Sequence, residues 1–279
     1  MNEQWKAAQQ NGHRSELTIH AHHIESIQLI TDYFQRDPEV LALLLGGSIA
    51  HGFETASSDV DIMIFVSDED YKKRFEQNQI HFFNRALTTY ESGYVDGKYS
   101  TQSFVQQVAE SGSEPARFAF AEAQILFSKI NGFEETVRKA AQYPVADKAA
   151  RTKRFYAQFE AWHWYCGEAL RLENQYLLGT SVSKYILFSG RLILAHNELL
   201  YPYHKWFLKV LDQAKEKPAN LMENIHRLNN SPTTENIKAL YEMVKSFHPW
   251  IEGDFNWPTQ FMLDSELNWM DSKTPVDDL

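Results

Sequence analysis

The chain lacks most of the features that would place it in several large classes. It has one cysteine, Cys166, in 279 residues. No intramolecular disulfide can form, and no paired-cysteine zinc motif is present. Within the segment WHWYC, Cys166 reads as a small buried apolar residue. No apolar run approaches the roughly 20 residues that cross a bilayer. The opening MNEQWKAAQQNGHRSE is polar and has no signal-peptide core. Basic residues number 27 against 37 acidic, a formal net charge of −10. A phosphate backbone is bound by basic patches, so this balance counts against nucleic acid as the main partner. The expectation from these absences is a cytoplasmic protein with no membrane and no nucleic-acid partner. The acidic charge suits a cationic substrate, and it equally serves plain solubility.

What is present points to folded cores. Hydrophobic residues make up 43% of the chain, too many for a disordered segment. The length allows one large domain or two moderate ones. Organisation changes near Tyr143 to Lys153: short apolar runs alternate with helical patterns before it, and nearly everything is helical after it. The expected division is 1–146 and 147–279.

In the first part, Ile24, Ile27, Ile30 and Phe34 recur at helical spacing, predicting a helix over His23 to Gln35. Val40 to Leu45 is a short apolar run stopped by two glycines, which reads as a buried strand. In Val60 to Val66, residues 60, 62, 64 and 66 share one face, leaving Asp59, Asp61 and Met63 on the other. Asp68 to Asn78 and Ser100 to Ser111 read as helices, Gly93 to Tyr99 and Ala123 to Phe127 as strands. The second part reads as a helix from Lys153 to Leu178 ending near Gly179, and another from Val182 to Leu200. Further helices follow from His204 to Lys215, after Pro218, after Ser231-Pro232 with Pro at a first helical position, and over Trp257 to Met270. Short turns between helices predict a bundle. The aromatic stripe Phe155, Phe159 and Trp162 is core by its spacing.

Chemistry concentrates between Gly46 and Phe65. Glycines after a strand let backbone approach a ligand closely, and exposed amides with a serine hydroxyl can hold phosphate oxygens. Gly46-Gly47-Ser48 supplies that set. Asp59 and Asp61, two apart on a strand, present both carboxylates on one face. Adjacent carboxylates repel unless a cation lies between them. Magnesium is typically held by one or two carboxylates together with substrate phosphates.

The stretch LLLGGSIAHGFETASSDVDIMIF resembles the signature of the nucleotidyltransferase superfamily that includes DNA polymerase β, aminoglycoside nucleotidyltransferases and the small MNT-type proteins. The resemblance covers about the first hundred residues. It implies an α/β (α+β) nucleotidyltransferase domain with a mixed sheet, followed by an all-α helical bundle, with substrate bound between the two. It also implies Mg2+ on Asp59, Asp61 and a third carboxylate from a later strand. That third acid is Asp96 in YVDGKY, with Glu122 and then Glu91 as alternatives. Asp96 would serve as metal ligand or as general base for an acceptor hydroxyl, and Asp96-Gly97 can also be read as a hairpin turn.

By the same resemblance Gly46, Gly47 and Ser48 cradle the phosphates of a nucleoside triphosphate, ATP by expectation. Ser58 either bonds a phosphate or serves its turn, and Lys98 either reaches the triphosphate or pairs with Asp96. His51 reads as a solvated loop residue, and His20, His22 and His23 as surface residues. RLILAHNELLYPYHKW resembles a stretch of aminoglycoside-nucleotidyltransferase-like proteins at Asn197, Tyr201, Pro202, Lys205 and Trp206. That likeness implies a triphosphate contact for Lys205. The expected reaction moves AMP from ATP to a hydroxyl of a small molecule, an aminoglycoside-like amino sugar being the first choice of acceptor. The alternatives are a protein AMP-transferase of toxin–antitoxin type and a non-catalytic nucleotide-binding scaffold. A homodimer is expected by analogy with relatives.

Overall fold

A computed structural model describes residues 19–270. The chain forms two compact units, Met1–Gln142 and Tyr143–Leu279.

The first unit is built on a mixed five-stranded sheet. Its elements are α1 (Ala21–Gln35), β1 (Ala42–Leu45), the short α2 (Gly47–Ala50), β2 (Val60–Phe65), α3 (Asp68–Glu76), β3 (His81–Asn84), β4 (Val95–Ser100), α4 (Gln102–Ser111), α5 (Glu114–Phe118), β5 (Gln124–Ser128) and α6 (Phe133–Ala140). The strand order is β3-β4-β2-β1-β5. β1 runs antiparallel to β2 and β5, β2 parallel to β4, and β3 antiparallel to β4. Alternation along β2 assigns its two faces. Val60, Ile62, Ile64 and Val66 pack with Ile27, Ile30 and Phe34 of α1. Met63 and Phe65 pack with Val105 and Val108 of α4 and with Phe133 and Val137 of α6. Asp59 and Asp61 have the parity of that second face and lie at its open end.

Caps explain where several helices begin. The Ser67 hydroxyl accepts from Asp70 N–H ahead of the acid-rich first turn of α3. Thr101 does the same for Phe104 in α4.

The second unit is helical: α7 (Lys148–Arg171), α8 (Gln175–His196), α9 (Phe207–Asp212), α10 (Leu221–Asn230), α11 (Thr234–Phe247) and α12 (Trp257–Asp264). α7 packs along α8 and against α12, and α10 packs on α11. Phe159 and Tyr185 are buried between α7 and α8, 5.4 Å apart at their ring centroids. Glu160, also buried, accepts hydrogen bonds from the Tyr156 hydroxyl, from Tyr241 at 2.9 Å and from Lys245 at 3.1 Å, which ties α7 to α11.

Two expectations are corrected here. The α7–α8 turn lies at 172–174, not at Gly179. Glu173 takes a left-handed φ of 52° and the Asn174 carboxamide caps Leu177. Gly179 sits inside α8, and its place was misread because glycine is the commoner helix stop. Pro232 precedes the cap Thr233 instead of opening α11. β3 and α6 were not foreseen, since a four-residue edge strand carries too little alternation to be read.

Cys166 is fully buried, and burial pushes its thiol up to about 12. It is therefore expected to resist thiol reagents at pH 8 in the native protein and to react at full stoichiometry in denaturant. Rapid labelling without denaturant would contradict its placement. No described helix is long and apolar enough to cross a membrane.

Candidate active site

The site is assembled by sheet pairing. In the parallel β2–β4 ladder Asp61 stands in register with Asp96. In-register residues on neighbouring strands share a face, with backbones about 4.8 Å apart. Asp96 and Gly97 therefore lie within a strand and form no hairpin turn. Asp59 is one residue before β2, with the Tyr94 phenol beside its carboxylate. Asp59, Asp61 and Asp96 are each partly exposed. Glu122 precedes β5 at the same end of the sheet, but β1 separates that strand from β2. It is exposed with φ 59°, and Glu91 is exposed in the β3–β4 connection.

The glycine loop closes over Asp61. Gly46 N–H donates to the Asp61 carbonyl at 2.9 Å. Gly47 has φ +60°, and a Cβ there would lie 1.7 Å from Asp61 Oδ2 and 2.5 Å from Asp61 Cβ. Only glycine satisfies both the left-handed backbone and this contact. Ser48 follows in α2 and is buried. Its amide belongs to the helix's first turn, where N–H groups have no intrahelical acceptor.

The electrostatics are one-sided. The Tyr94 phenol is pushed up by its hydrogen bond to Asp59, then by that carboxylate's charge, by burial, and by the charges of Asp96 and Asp61. Tyr90 is pushed up by burial first and by Asp59 next. Three carboxylates and two phenols thus gather at this end of the sheet, and His81 Nε2 lies 2.9 Å from Asp96 Oδ1. Lys98 faces His81 across the β3–β4 ladder and is exposed.

The remaining sequence candidates sort as follows. Ser58 Oγ accepts from Thr55 N–H at 2.9 Å, so the hydroxyl closes its own turn. His51 is half-buried and stacks on Phe118 at 4.3 Å, not solvated as expected. His20 is exposed and His22 partly so, but His23 is fully buried, overturning its reading as a surface residue. Lys205 lies in the second unit on a 3-10 turn, exposed, its Nζ 5.1 Å from the Trp206 ring centre. Asn197 bonds the Ile193 and Glu216 carbonyls and the Glu216 N–H, so it stitches the chain after α8. Sequence reasoning missed Tyr94, Tyr90, His23 and His81. Tyr94 alone left a trace, being two residues before Asp96 and so of the same parity.

Residues 28–113 match the family described as polymerase beta, nucleotidyltransferase. A solved structure, the nucleotidyltransferase-like protein from Exiguobacterium sibiricum 255-15, aligns with 91% of this chain and 82% of its own at 10% identity and a TM-score of 0.45. No curated protein sequence matches the chain.

Proposed function

We propose, on the premise that residues 28–113 are a nucleotidyltransferase domain of the polymerase β-like superfamily, that this protein moves AMP from ATP to a hydroxyl group of a small molecule, breaking the α–β phosphoanhydride and releasing pyrophosphate. The observation that carries the reading is the pairing of Asp61 with Asp96 under a glycine whose missing Cβ makes room for the Asp61 carboxylate.

The residues fit a hard divalent cation. Its donors would be the carboxylates of Asp59, Asp61 and Asp96, all oxygen. Among the described residues no three His, Cys, Asp or Glu side chains already form a metal cage. Magnesium typically binds through one or two carboxylates and takes further oxygens from the substrate's phosphates. When bound, the ion would supply charge stabilisation to the phosphoryl group under attack.

The chain's own residues do the rest. Gly47 and Ser48 offer backbone amides and the Ser48 hydroxyl to the phosphates, while Gly46 N–H is taken by the Asp61 carbonyl and holds the loop against β2. Tyr94 sets its phenol beside the Asp59 carboxylate. Asp96, next to Asp61 and bonded to His81, serves as third ligand or accepts the proton of the acceptor hydroxyl. Catalysis is then positioning plus charge stabilisation, as in other phosphoryl transfers. The net charge of −10 supports a cationic acceptor, and an amino sugar is the acceptor we would try first.

The test is label transfer. The protein is given α-labelled ATP, then the other nucleotides, with magnesium and a panel of aminoglycosides, related sugars and cell extract. Label on a small molecule, absent with the Asp59→Ala/Asp61→Ala double variant, is the expected result. Label on a protein band would replace the small-molecule acceptor by a protein. Failure of every nucleotide to bind or turn over would overturn the reading.

A further inference from the structure

The carbonyl of Ser58, the residue before Asp59, receives two side-chain hydrogen bonds. The Tyr90 hydroxyl donates at 2.5 Å and His23 Nε2 at 3.1 Å. Two residues earlier, the Ala56 carbonyl receives His22 Nε2 at 3.0 Å. A carbonyl oxygen can only accept, so each imidazole carries a proton on Nε2. The three rings pack on one another, with centroids of His22 and His23 at 4.5 and 5.1 Å from Tyr90. Ser26 ties the two carriers together: its Oγ donates to the His22 carbonyl at 2.7 Å and accepts from Thr89 N–H at 3.1 Å. Gly93 makes room for the tyrosine, since a Cβ there would meet Tyr90 Cζ at 2.8 Å.

These bonds are not needed to form the turn they hold. Thr55 to Ser58 is already closed by Ser58 N–H to the Thr55 carbonyl at 3.0 Å and by Thr55 N–H to Ser58 Oγ. The histidines and tyrosine therefore orient a finished turn. The next residue is pinned on its other side as well: Val60 N–H donates to the Tyr94 carbonyl at 3.0 Å.

We propose that His23 and Tyr90 form a clasp on the Ser58 carbonyl that sets the direction of the Asp59 carboxylate, making both of them positioning residues for nucleotidyl transfer. The proposal rests on the reading given under Proposed function. A carboxylate that must meet a metal ion tolerates about half an ångström of error, and the groups that aim it matter nearly as much as the ligand. Asp59 precedes the paired residues of β2, so its backbone direction depends on the Ser58–Asp59 peptide, which the clasp holds by its carbonyl. His22 and His23 precede the stretch matched by the nucleotidyltransferase family, so this half of the clasp is an attribute of this chain beyond that match.

The experiment compares wild type with Tyr90→Phe, His23→Leu and His23→Gln, the last keeping an N–H donor near the original Nε2. Magnesium dependence of transfer, nucleotide KM and amide exchange at 57–61 are measured together. Tyr90→Phe and His23→Leu are expected to raise the half-saturating magnesium concentration about tenfold and to speed exchange at 57–61. Nucleotide KM at saturating magnesium should stay within about twofold, and His23→Gln should recover most of the metal response. Unchanged magnesium dependence in Tyr90→Phe, which keeps the ring and its packing, overturns the clasp even if His23→Leu fails to fold. A wild type that neither binds nucleotide nor transfers it overturns the enzymatic premise instead.

Discussion

Asp61→Asn is expected to lower the rate of nucleotidyl transfer at least a thousandfold, roughly 4 kcal/mol of transition-state stabilisation, while leaving the protein folded. Asp61 stands beside Asp96 on one face of the sheet, with Asp59 two residues away on the same strand. In the metal-free protein these like charges repel, so the neutral amide should melt no lower than wild type. Magnesium should reverse the ranking. A cation bound at 100 times its Kd stabilises the native state by about 2.7 kcal/mol, and only the wild type should gain it. Thermal melts with and without magnesium, alongside label transfer, read both halves. If Asp61→Asn melts well below wild type without metal, the carboxylate is a structural partner of the glycine loop. If it keeps its activity, the metal-face assignment is wrong.

Gly47→Ala is expected to be as damaging to turnover and, unlike Asp61→Asn, to destabilise the fold by roughly 2–4 kcal/mol. Part of that cost is the left-handed φ of 60°, which alanine adopts at about 1–2 kcal/mol. The rest is steric. The new methyl would stand 1.7 Å from Asp61 Oδ2, which a rotamer change could relieve, but also 2.5 Å from Asp61 Cβ, which no rotamer moves. Either the glycine loop or β2 must shift, and both carry the site. A double-mutant cycle separates the two costs. In an Asp61→Gly background the steric part disappears and the backbone part stays, so Gly47→Ala should then cost about 1–2 kcal/mol. An alanine variant with wild-type melting and activity would mean that the loop does not close on Asp61.

The elements legible in the sequence are those whose signal is local. β1 is a run of apolar residues ended by glycines, and β2 alternates so cleanly that both of its faces could be assigned residue by residue. The α7–α8 turn was misplaced because Asn174 and a left-handed glutamate do what a glycine was expected to do. β3 was invisible because its four residues alternate only between half-buried and exposed.

The candidate site divides along the same line. Asp59 and Asp61 were readable as a pair, because strand geometry alone puts residues i and i+2 on one face. Gly47 was readable as a close approach, because only glycine lacks the Cβ that would forbid it. Asp96 was placed ahead of Glu122 and Glu91 by resemblance alone, since spacing does not say which strand neighbours β2. Which acid lies beside the pair depends on which strand is hydrogen-bonded to β2, and that is β4 and not β5. The same holds for His23 and Tyr90, which sit 35 and 32 residues from the carbonyl they share. The sequence by itself determined a two-carboxylate strand face behind a glycine loop, since both follow from local backbone geometry. The place of Asp96 beside Asp61 and the meeting of His23 and Tyr90 on the Ser58 carbonyl were decided only by tertiary structure, because strand order and helix docking are long-range pairings that no local pattern encodes.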